Sequence, residues 1–421
     1  MLDDFAVPRR LAPARVALDP RGFRSGDFSA AELARLGEGL AERGGPALAG
    51  LSLERRLAAW RGALEALAEP DSPARQRLLP ALIETSRLSA EGLVEGLRMM
   101  LDGAGGEAAG ALAARACAAG AAAALPWGAA VLAGNLPGLA LQAVLPALLV
   151  GRPLLVKSAR DEPLFAAALV AALAEIEPAL GEAFAAVTFA GDDAERSAAA
   201  RAGADRVVAY GGAEALGALA ERLGARLVAH GPKASVALVG RDVDPVGTGR
   251  ALARDVALYD QRGCLSVHAV YTAADAGELG AALAWGLALE HGRLPPGPLP
   301  PAAVAAVRQL RGAAELAGRL VPRLELAQGT VVIDPEPRFL PSPGLRAVRV
   351  HPLAELGGAL DALAAWRGRL QGAALAGDDA WALEAALGGL GVSRCAEAGR
   401  LQAADATWAN AGVDPLAAYG P

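Results

Sequence analysis

Short apolar runs alternate with longer amphipathic runs between Trp127 and Thr272. The short runs predict β-strands, and the longer ones, whose apolar residues recur at helical spacing, predict α-helices. We expect strands at 127–133, 154–157, 185–190, 206–210, 225–229, 235–239 and 268–272, and helices at 138–149, 163–174, 194–202, 213–223 and up to 258. Alternation at this pace is typical of right-handed βαβ units around a parallel sheet, so the sequence predicts an α/β protein.

The first hundred residues have a different pattern, with apolar residues at helical spacing over 30–42, 51–67 and 74–88. We expect Pro80 to kink or restart the third helix, and the glycines of 103–110 to form a flexible break. The predicted domains are 1–238, a helical N-terminal segment with a nucleotide-binding domain, and 239–391, a catalytic domain. The segment 392–421 is expected to close the two domains, and the cleft between them is the expected site.

Composition and charge exclude several classes of function. The 421 residues have a net charge of −6 and no basic stripe, which argues against a nucleic-acid partner. Three cysteines without metal-type spacing fit a reducing compartment and predict no metal site. The residues from Met1 to Asp4 lack the features of a signal peptide, so a cytoplasmic protein is expected. The run from Ala116 to Gly151 is uncharged, but prolines and glycines divide it, and we expect no stable membrane span.

One of the cysteines, Cys264, follows the last predicted helix in the turn Gln-Arg-Gly-Cys. An accessible thiolate at such a position is a strong nucleophile and forms acyl adducts without a metal. Considered alone, Cys264 fits an inert buried cysteine better, because free cysteine is among the most buried residue types. The other two cysteines support this interpretation, because Cys117 lies in an Ala/Gly-rich, helix-like run and Cys395 in a polar C-terminal segment. A catalytic Cys264 is favoured by the segments that precede it.

Four upstream segments and the cysteine turn occur in the order found in a known superfamily. They are Val131–Pro137, Leu154–Ala159, Val207–Gly212, His230–Lys233 and Gln261–Cys264. In sequence order they resemble the Asn-Phe-Pro segment, the cofactor-binding lysine strand, the phosphate loop, the Glu-Leu-Gly-Gly-Lys segment and the cysteine motif of the aldehyde dehydrogenase superfamily. The resemblance covers 110–272, and more loosely the rest of the chain. It implies an aldehyde dehydrogenase-like fold, with a Rossmann-type cofactor domain beside a catalytic domain.

Within the superfamily, Leu78–Ser89 and the His-Gly-Pro-Lys variant at 230–233 resemble the fatty acyl-CoA reductases that supply long-chain aldehyde to bacterial luciferase. This resemblance implies reduction of an acyl-CoA, or another acyl thioester, to an aldehyde, with coenzyme A as part of the substrate. A homo-oligomer is compatible with it. Two alternatives stay open: an NAD(P)+-dependent aldehyde dehydrogenase, either hydrolytic or CoA-acylating, and a non-catalytic member of the superfamily.

The resemblance also implies roles for individual side chains. Cys264 is expected to attack the thioester carbonyl and to hold the acyl group. The amide of Asn135 would donate to the developing oxyanion, although the same residue fits a simple turn between strand and helix. His230 stands where oxidising members have the glutamate that activates water, and its lack of negative charge would spare the acyl-enzyme from hydrolysis. A general acid–base role and a purely structural histidine at a strand end are the alternatives.

The residues after the second strand of this region bear on the cofactor. Three positions after Lys157, where members that use NAD often have glutamate, this chain has Arg160, and a guanidinium suits a 2′-phosphate. We therefore expect NADPH, with NADH as the alternative. Lys157, Ser158 and Arg160 would bind it, together with the backbone of Gly211 and Gly212 at a helix N-terminus. A strand-end lysine and a solvated arginine are the ordinary interpretations of the same residues.

Two further parts of the superfamily pattern fall after Cys264 in the chain. The Glu-x-Phe-Gly-Pro element, whose glutamate often holds the nicotinamide ribose, has no clear match, and Pro341–Leu345 falls near its place without a carboxylate. Trp408-Ala409-Asn410 resembles the strand that closes the catalytic domain. How the ribose is held is therefore open at the level of sequence.

Overall fold

The computed structural model describes residues 1–120, 124–322 and 324–421. Their N-terminal region is mostly helical, as predicted, and begins with a short hairpin. Its elements are β1 (Val16–Leu18), β2 (Arg24–Gly26), α1 (Ala30–Gly39), α2 (Gly45–Ala49), α3 (Leu53–Ala68), α4 (Pro73–Ser86), α5 (Ala90–Ala104) and α6 (Gly106–Ala118), with a 3-10 turn at Arg9–Leu11 and a π-helical segment at Leu40–Gly44.

Serine hydroxyls fix where the main helices of this region begin. The side chains of Ser29, Ser52, Ser72 and Ser89 accept hydrogen bonds from the backbone N–H three residues later, at the starts of α1, α3, α4 and α5. Two expectations need correction. Helix α4 is continuous through Pro80, so of the two expected outcomes the restart is wrong, and the break between α5 and α6 is a single residue, Gly105.

The first large sheet has five parallel strands in the order β5-β4-β3-β6-β7. Its elements are β3 (Gly128–Val131), α7 (Ala140–Val150), β4 (Leu154–Ser158), α8 (Phe165–Ile176), α9 (Leu180–Ala183), β5 (Phe184–Thr188), α10 (Ala194–Ala199), β6 (Arg206–Tyr210), α11 (Ala213–Leu223), a 3-10 turn at Gly224–Arg226 and β7 (Leu227–His230). After β3 the chain adds β4 and β5 on one side of the sheet, and then β6 and β7 on the other. The switch point between β3 and β6 is where such sheets bind ligands, at the carboxyl ends of the strands.

The second large sheet has six parallel strands in the order β10-β11-β9-β8-β12-β13. Its region comprises β8 (Ala234–Val239), α12 (Pro245–Ala257), a 3-10 turn at Leu258–Gln261, β9 (Val267–Thr272), α13 (Ala276–Arg293), α14 (Pro301–Leu316), β10 (Thr330–Ile333), β11 (Ala347–Pro352), α15 (Gly358–Leu363), a 3-10 turn at Ala364–Trp366, β12 (Leu370–Ala376), α16 (Asp378–Trp381), α17 (Glu384–Gly389), β13 (Arg394–Glu397), a 3-10 turn at Asn410–Gly412 and α18 (Pro415–Tyr419). The predicted α/β architecture with parallel sheets is confirmed.

The two sheets meet in the chain between His230 and Ala234. Strand β8, which the predicted boundary at 239 assigns to the first domain, is hydrogen-bonded in the second sheet, between β9 and β12. The predicted strand at 408–410 is also wrong. That stretch is irregular and leads into a 3-10 turn, and β13 is the edge strand.

The largest core packs the N-terminal helices, α7 and α8 against the first sheet. Tyr259 and Tyr419, from the second half of the chain, are also buried in it, so both halves contribute to this core. The uncharged run from Ala116 to Gly151 supplies β3 and α7, and its residues 121–123 lie outside the described part. Within the described ranges, no helix is long and apolar enough to cross a membrane.

Candidate active site

A cavity of about 480 Å³ lies where the carboxyl ends of the strands in the first sheet face the amino ends of those in the second. Asn135 lines it from the loop after β3, Gly211 and Gly212 from the loop after β6, His230 from the end of β7, and Cys264 from the turn before β9. Five residues selected from the sequence therefore share one cavity, at the switch point of the first sheet.

A shallower groove of about 450 Å³ adjoins this cavity, because Asn135 and Arg262 line both. Lys157 and Arg160 line the groove. Ser158 lies at the end of β4 but is buried and is not among the residues that line either space; its hydroxyl has no hydrogen-bond partner in the described structure. The predicted cofactor residues are thus divided between the groove, the cavity and a buried position.

The chain reaches Cys264 through a turn of unusual backbone conformation. Tyr259, Asp260 and Gln261 have φ angles of 57°, 52° and 60°. Left-handed conformations of this kind cost a non-glycine residue of order 1–3 kcal/mol each. Three in succession persist only where the surrounding structure holds them, and the contacts of each residue show how it does so.

Side chains from distant elements hold the first two residues of the turn. The hydroxyl of Tyr259 donates to the carbonyl oxygen of Gly96, on α5, at 2.8 Å. The carboxylate of Asp260 accepts from the guanidinium of Arg346 at 2.7 Å and from the backbone N–H of Gly297 at 2.9 Å. Because Tyr259 and Arg346 are both buried, these contacts exchange little with water.

Gln261 links the turn to the neighbouring strands. Its side-chain amide donates to the carbonyl oxygens of Val267 at 2.8 Å and Ala347 at 2.9 Å, and accepts from the hydroxyl of Ser342 at 3.0 Å. The backbone N–H of Ser342 donates to Nδ1 of His268 at 3.0 Å. The segment Pro341–Leu345, near the expected place of the Glu-x-Phe-Gly-Pro element, is therefore hydrogen-bonded directly to the turn that carries Cys264.

Cys264 is partly exposed, and its surroundings act on the thiol in opposite directions. Burial raises the pKa of the Cys264 thiol to about 11, while the backbone N–H groups of Cys264 and Leu265 and the positive charge of Lys233 act to lower it. The carbonyl oxygen of Cys264 accepts from the hydroxyl of Ser235 at 2.8 Å. Lys233 donates to the carbonyl oxygen of Gly368 at 2.8 Å, which fixes its ammonium near the cysteine. The resting cysteine is therefore a thiol at neutral pH, with a cation in place to stabilise the thiolate.

Asn135 is bonded to the loop that carries the cysteine. Its side-chain Nδ2 donates to the carbonyl oxygen of Arg262 at 3.0 Å, and the amide keeps a second N–H. The preceding residue, Gly134, lies close to the loop after β4. A Cβ at that position would lie 2.9 Å from the Cβ of Ala159 and 3.0 Å from the Cβ of Asp161, so only glycine fits without displacement.

His230 is 7% exposed, and neither of its ring nitrogens has a hydrogen-bond partner among the residues described. Its ring stacks on that of Tyr210, with centroids 4.5 Å apart and an interplanar angle of 10°. Burial, and then the charge of Lys233, lower the pKa of His230 to about 4. The imidazole is therefore neutral near pH 7. Two unpartnered nitrogens in the wall of a cavity indicate a polar ligand, because buried polar groups normally have partners.

The groove beside the cavity is positively charged. Burial, and then the charges of Arg201 and Arg160, lower the pKa of Lys157 to about 8. The ammonium of Lys157 also lies 5.2 Å from the ring centroid of Phe189. Clustered cations of this kind fit an anionic ligand such as the phosphates of a dinucleotide. No sequence motif indicates Arg201, which follows α10 in the chain and comes near Lys157 only in the folded structure.

The described residues contain no group of three or more histidine, cysteine or acidic side chains placed to hold a metal ion. A profile of the acyl-CoA reductase (LuxC) family matches residues 118–419, which is well over half of the chain. No curated protein matches the sequence.

Solved structures of aldehyde dehydrogenases share the fold. A methylmalonate-semialdehyde dehydrogenase from Oceanimonas doudoroffii superposes with a TM-score of 0.71 at 16% identity, covering 96% of this chain and 90% of that one. For an NAD-dependent benzaldehyde dehydrogenase from Corynebacterium glutamicum the TM-score is 0.69 at 17% identity, covering 91% and 90%. For a lactaldehyde dehydrogenase from Escherichia coli it is 0.67 at 17% identity, covering 91% and 85%. At these identities the likeness establishes the fold alone.

Proposed function

The chain belongs to the acyl-CoA reductase (LuxC) family, and from this membership we propose that it reduces a fatty acyl thioester to an aldehyde with NADPH, through a covalent thioester on Cys264. The balanced reaction converts one acyl-CoA, one NADPH and one proton into one aldehyde, one coenzyme A and one NADP+. The observation that supports it is the convergence of Cys264, Asn135 and His230 on one cavity beside a cationic groove.

In the first half-reaction the sulfur of Cys264 bonds to the thioester carbonyl carbon, and the bond to the sulfur of coenzyme A breaks. The charge of Lys233, which lowers the pKa of the thiol, favours the thiolate that attacks. The second N–H of Asn135 and the backbone N–H of Cys264 are the donors for the oxyanion. Loss of one such donor typically raises the barrier by about 3 kcal/mol.

A proton must leave Cys264 and reach the departing thiolate of coenzyme A. His230 is the candidate for this transfer because it lines the cavity and its ring nitrogens are free of other partners in the described structure. Its low pKa makes it a weak base, so the positive charge of Lys233 must supply most of the stabilisation of the thiolate. A neutral base takes up the cysteine proton and returns it to the leaving sulfur without a change in net charge. The absence of a carboxylate at this position leaves water without a strong base, which protects the acyl-enzyme from hydrolysis.

The groove residues fit the anionic part of NADPH. Lys157 and Arg160 supply cations for a 2′-phosphate, and Gly211 and Gly212 allow close approach of a pyrophosphate at the N-terminus of α11. When bound, the reduced nicotinamide supplies the hydride that turns the acyl group into an aldehyde. Cys264 then recovers its proton as the aldehyde leaves.

The cavity wall also supports an aliphatic acyl chain. Beyond the reactive groups it is lined by apolar side chains of α5 and α7 and of the C-terminal region: Met100, Leu139, Leu141, Leu145 and Val413. Burial of each methylene group of the chain against such a wall is worth about 0.8 kcal/mol. An acyl chain of several carbons would therefore be bound chiefly by the hydrophobic effect.

The test follows the absorbance of NADPH with purified protein and a series of straight-chain acyl-CoA thioesters. Cys264→Ala should abolish turnover. The matched control is Cys395→Ala, because burial also raises the pKa of Cys395 to about 11 but the residue lies on β13, outside the cavity. Turnover that survives in Cys264→Ala would refute the mechanism. Activity only with aldehyde and oxidised cofactor would instead establish a dehydrogenase, and failure to bind any nicotinamide cofactor would establish a non-catalytic protein.

A further inference from the structure

Three amide side chains form a hydrogen-bonded chain across the cavity wall. The side chain of Gln371, at the start of β12, donates from Nε2 to Oδ1 of Asn410 at 2.8 Å. Asn410 donates from Nδ2 to Oε1 of Gln142, on α7, also at 2.8 Å. All three residues line the cavity. This amide chain has no role in the reaction proposed above.

The amide chain leaves one acceptor free. Gln371 is 0% exposed, and its Oε1 is without a hydrogen-bond partner among the described residues. The indole Nε1 of Trp408, which lines the same cavity, is a buried donor that likewise finds no partner in the described ranges. Each such group left unpaired typically costs about 1–3 kcal/mol. An acceptor and a donor in one cavity indicate a ligand that can both donate and accept.

Gln371 lies close to the reactive cysteine. The next residue, Gly372, is so near to Ser235 that a Cβ on it would lie 3.0 Å from the Ser235 hydroxyl. That hydroxyl donates to the carbonyl oxygen of Cys264 at 2.8 Å. Strand β8 alone separates β9, which follows Cys264, from β12, which carries Gln371, so the two residues lie roughly 10 Å apart across the sheet.

The other end of the amide chain lies among apolar residues. Gln142 shares the lining face of α7 with Leu145 and Pro146, three and four residues later, and Leu139, just before the helix, also lines the cavity. Residues at this spacing lie on one side of a helix. The amide chain therefore lies within the apolar wall that an acyl chain would contact, rather than in a separate opening for the coenzyme A part of the substrate.

We propose that Gln371 and Trp408 form a polar subsite for a hydroxyl group near the carboxyl end of the acyl chain, so that the substrates are hydroxyacyl thioesters. This rests on the proposed function and narrows its substrate class. A hydroxyl group supplies both the donor that Oε1 of Gln371 lacks and the acceptor that Nε1 of Trp408 lacks. The amide chain through Asn410 holds Gln371 in the orientation that presents its oxygen.

The experiment compares hexanoyl-CoA with 3-hydroxyhexanoyl-CoA. The wild type should favour the hydroxylated thioester at least about tenfold in kcat/KM, and Trp408→Phe or Gln371→Leu should each reduce that preference by about fivefold to tenfold, the effect of one lost hydrogen bond. The readout is the ratio of kcat/KM for the two thioesters within each variant, which a general loss of activity leaves unchanged. Trp285→Phe, at a residue 50% exposed on α13, is the matched control and should leave the preference unchanged.

Equilibrium binding separates this proposal from the proposed function. Calorimetry with both thioesters in a Cys264→Ala background needs no turnover and should show the same preference for the hydroxylated thioester. Equal binding of the two, unchanged in both subsite variants, would overturn the proposal and leave only water at these atoms, whether or not the protein is a reductase. If the two subsite variants lost affinity equally for both thioesters, the amides of the pantetheine arm of coenzyme A would be the groups bound at Gln371 and Trp408. That result would also overturn the proposal. A preference in binding without any turnover would support the subsite and refute the reductase.

Discussion

Gly96→Ala should destabilise the protein even though alanine favours helices. A Cβ added at Gly96 would lie 2.2 Å from Cε1 of Tyr259 and 2.9 Å from Cδ1, far inside van der Waals contact. Alanine gains about 0.5–1 kcal/mol over glycine in a helix. Overpacking typically costs 1–3 kcal/mol, and loss of the bond from Tyr259 to the carbonyl of residue 96 adds about 0.5–1.5 kcal/mol. The balance is a net destabilisation of roughly 2 kcal/mol.

The same substitution should disturb Cys264. Tyr259 is the first of the left-handed residues that lead to the cysteine, so a ring displaced by more than an ångström moves the turn. Urea denaturation measures the stability, and alkylation by iodoacetamide followed by peptide mass spectrometry measures the exposure of Cys264. The exposed Cys117 serves as an internal reference for reagent and pH. We expect faster alkylation of Cys264 relative to Cys117 in the variant.

Gly110→Ala is the matched control. Gly110 lies in α6, and no neighbouring atom comes within 4 Å of a Cβ built there. The same change should stabilise the protein by up to about 1 kcal/mol, because only helix propensity is involved. If Gly96→Ala proved as stable as Gly110→Ala, with unchanged alkylation of Cys264, the inference that α5 holds the cysteine turn in place would be wrong.

Four further predictions concern charges at the site. Arg160→Glu should shift the preference from NADPH toward NADH, and an unchanged ratio of kcat/KM for the two cofactors would remove Arg160 from the cofactor site. His230→Glu should increase the acid released from the acyl-enzyme, as quantified by chromatography, unless the residue faces away from the thioester. Because burial raises the pKa of Cys264 to about 11, its alkylation rate should increase with pH through neutrality and level off only near pH 11. Lys233→Met should slow that alkylation at pH 8 about threefold, while Lys233→Arg should not.

Much of the first sheet could be predicted from local sequence. Strand β6 and helix α11 occupy the predicted residues, 206–210 and 213–223, because a short β-branched run is followed directly by glycines and an amphipathic run. Asn135, Gly211 and His230 could be grouped for a related reason. Each follows or ends a parallel strand, and the carboxyl ends of parallel strands lie at one edge of a sheet.

The contacts that shape the cysteine turn could not be predicted in this way. The positive φ angles at 259–261 fall on Tyr, Asp and Gln, residue types that give no local signal comparable to glycine. They are held by Gly96 and Arg346, which are 163 and 86 residues away from their partners in sequence. Ser158 lies at a strand end, as predicted, but every residue of β4 is buried, so its contact with a cofactor stays a prediction.

The C-terminal segment brings polar groups such as Asn410 to the cavity, although no sequence motif predicts them. Arg152, fully buried at the start of the β4 region, donates to the carbonyl oxygens of Tyr419 at 2.6 Å and Gly420 at 2.8 Å, which ties this segment to the first sheet. Asp255, on α12, accepts from the backbone N–H of Gly399 at 2.7 Å and of Leu401 at 3.0 Å, which ties it to the second.

Asn410 lies between these two anchors in the chain and is hydrogen-bonded to Gln371, in the second sheet, and to Gln142, on α7, which contacts β4 of the first sheet. Gln371, one of the two residues proposed to recognise the substrate, is thus also part of the bridge between the two halves of the structure. A ligand that satisfies Gln371 would also stabilise the docking of the sheets, because binding to the assembled cavity adds to the free energy of the assembled state alone. Urea midpoints should therefore increase with hydroxyacyl thioester in the Cys264→Ala protein, and increase less when Asn410→Leu interrupts the amide chain.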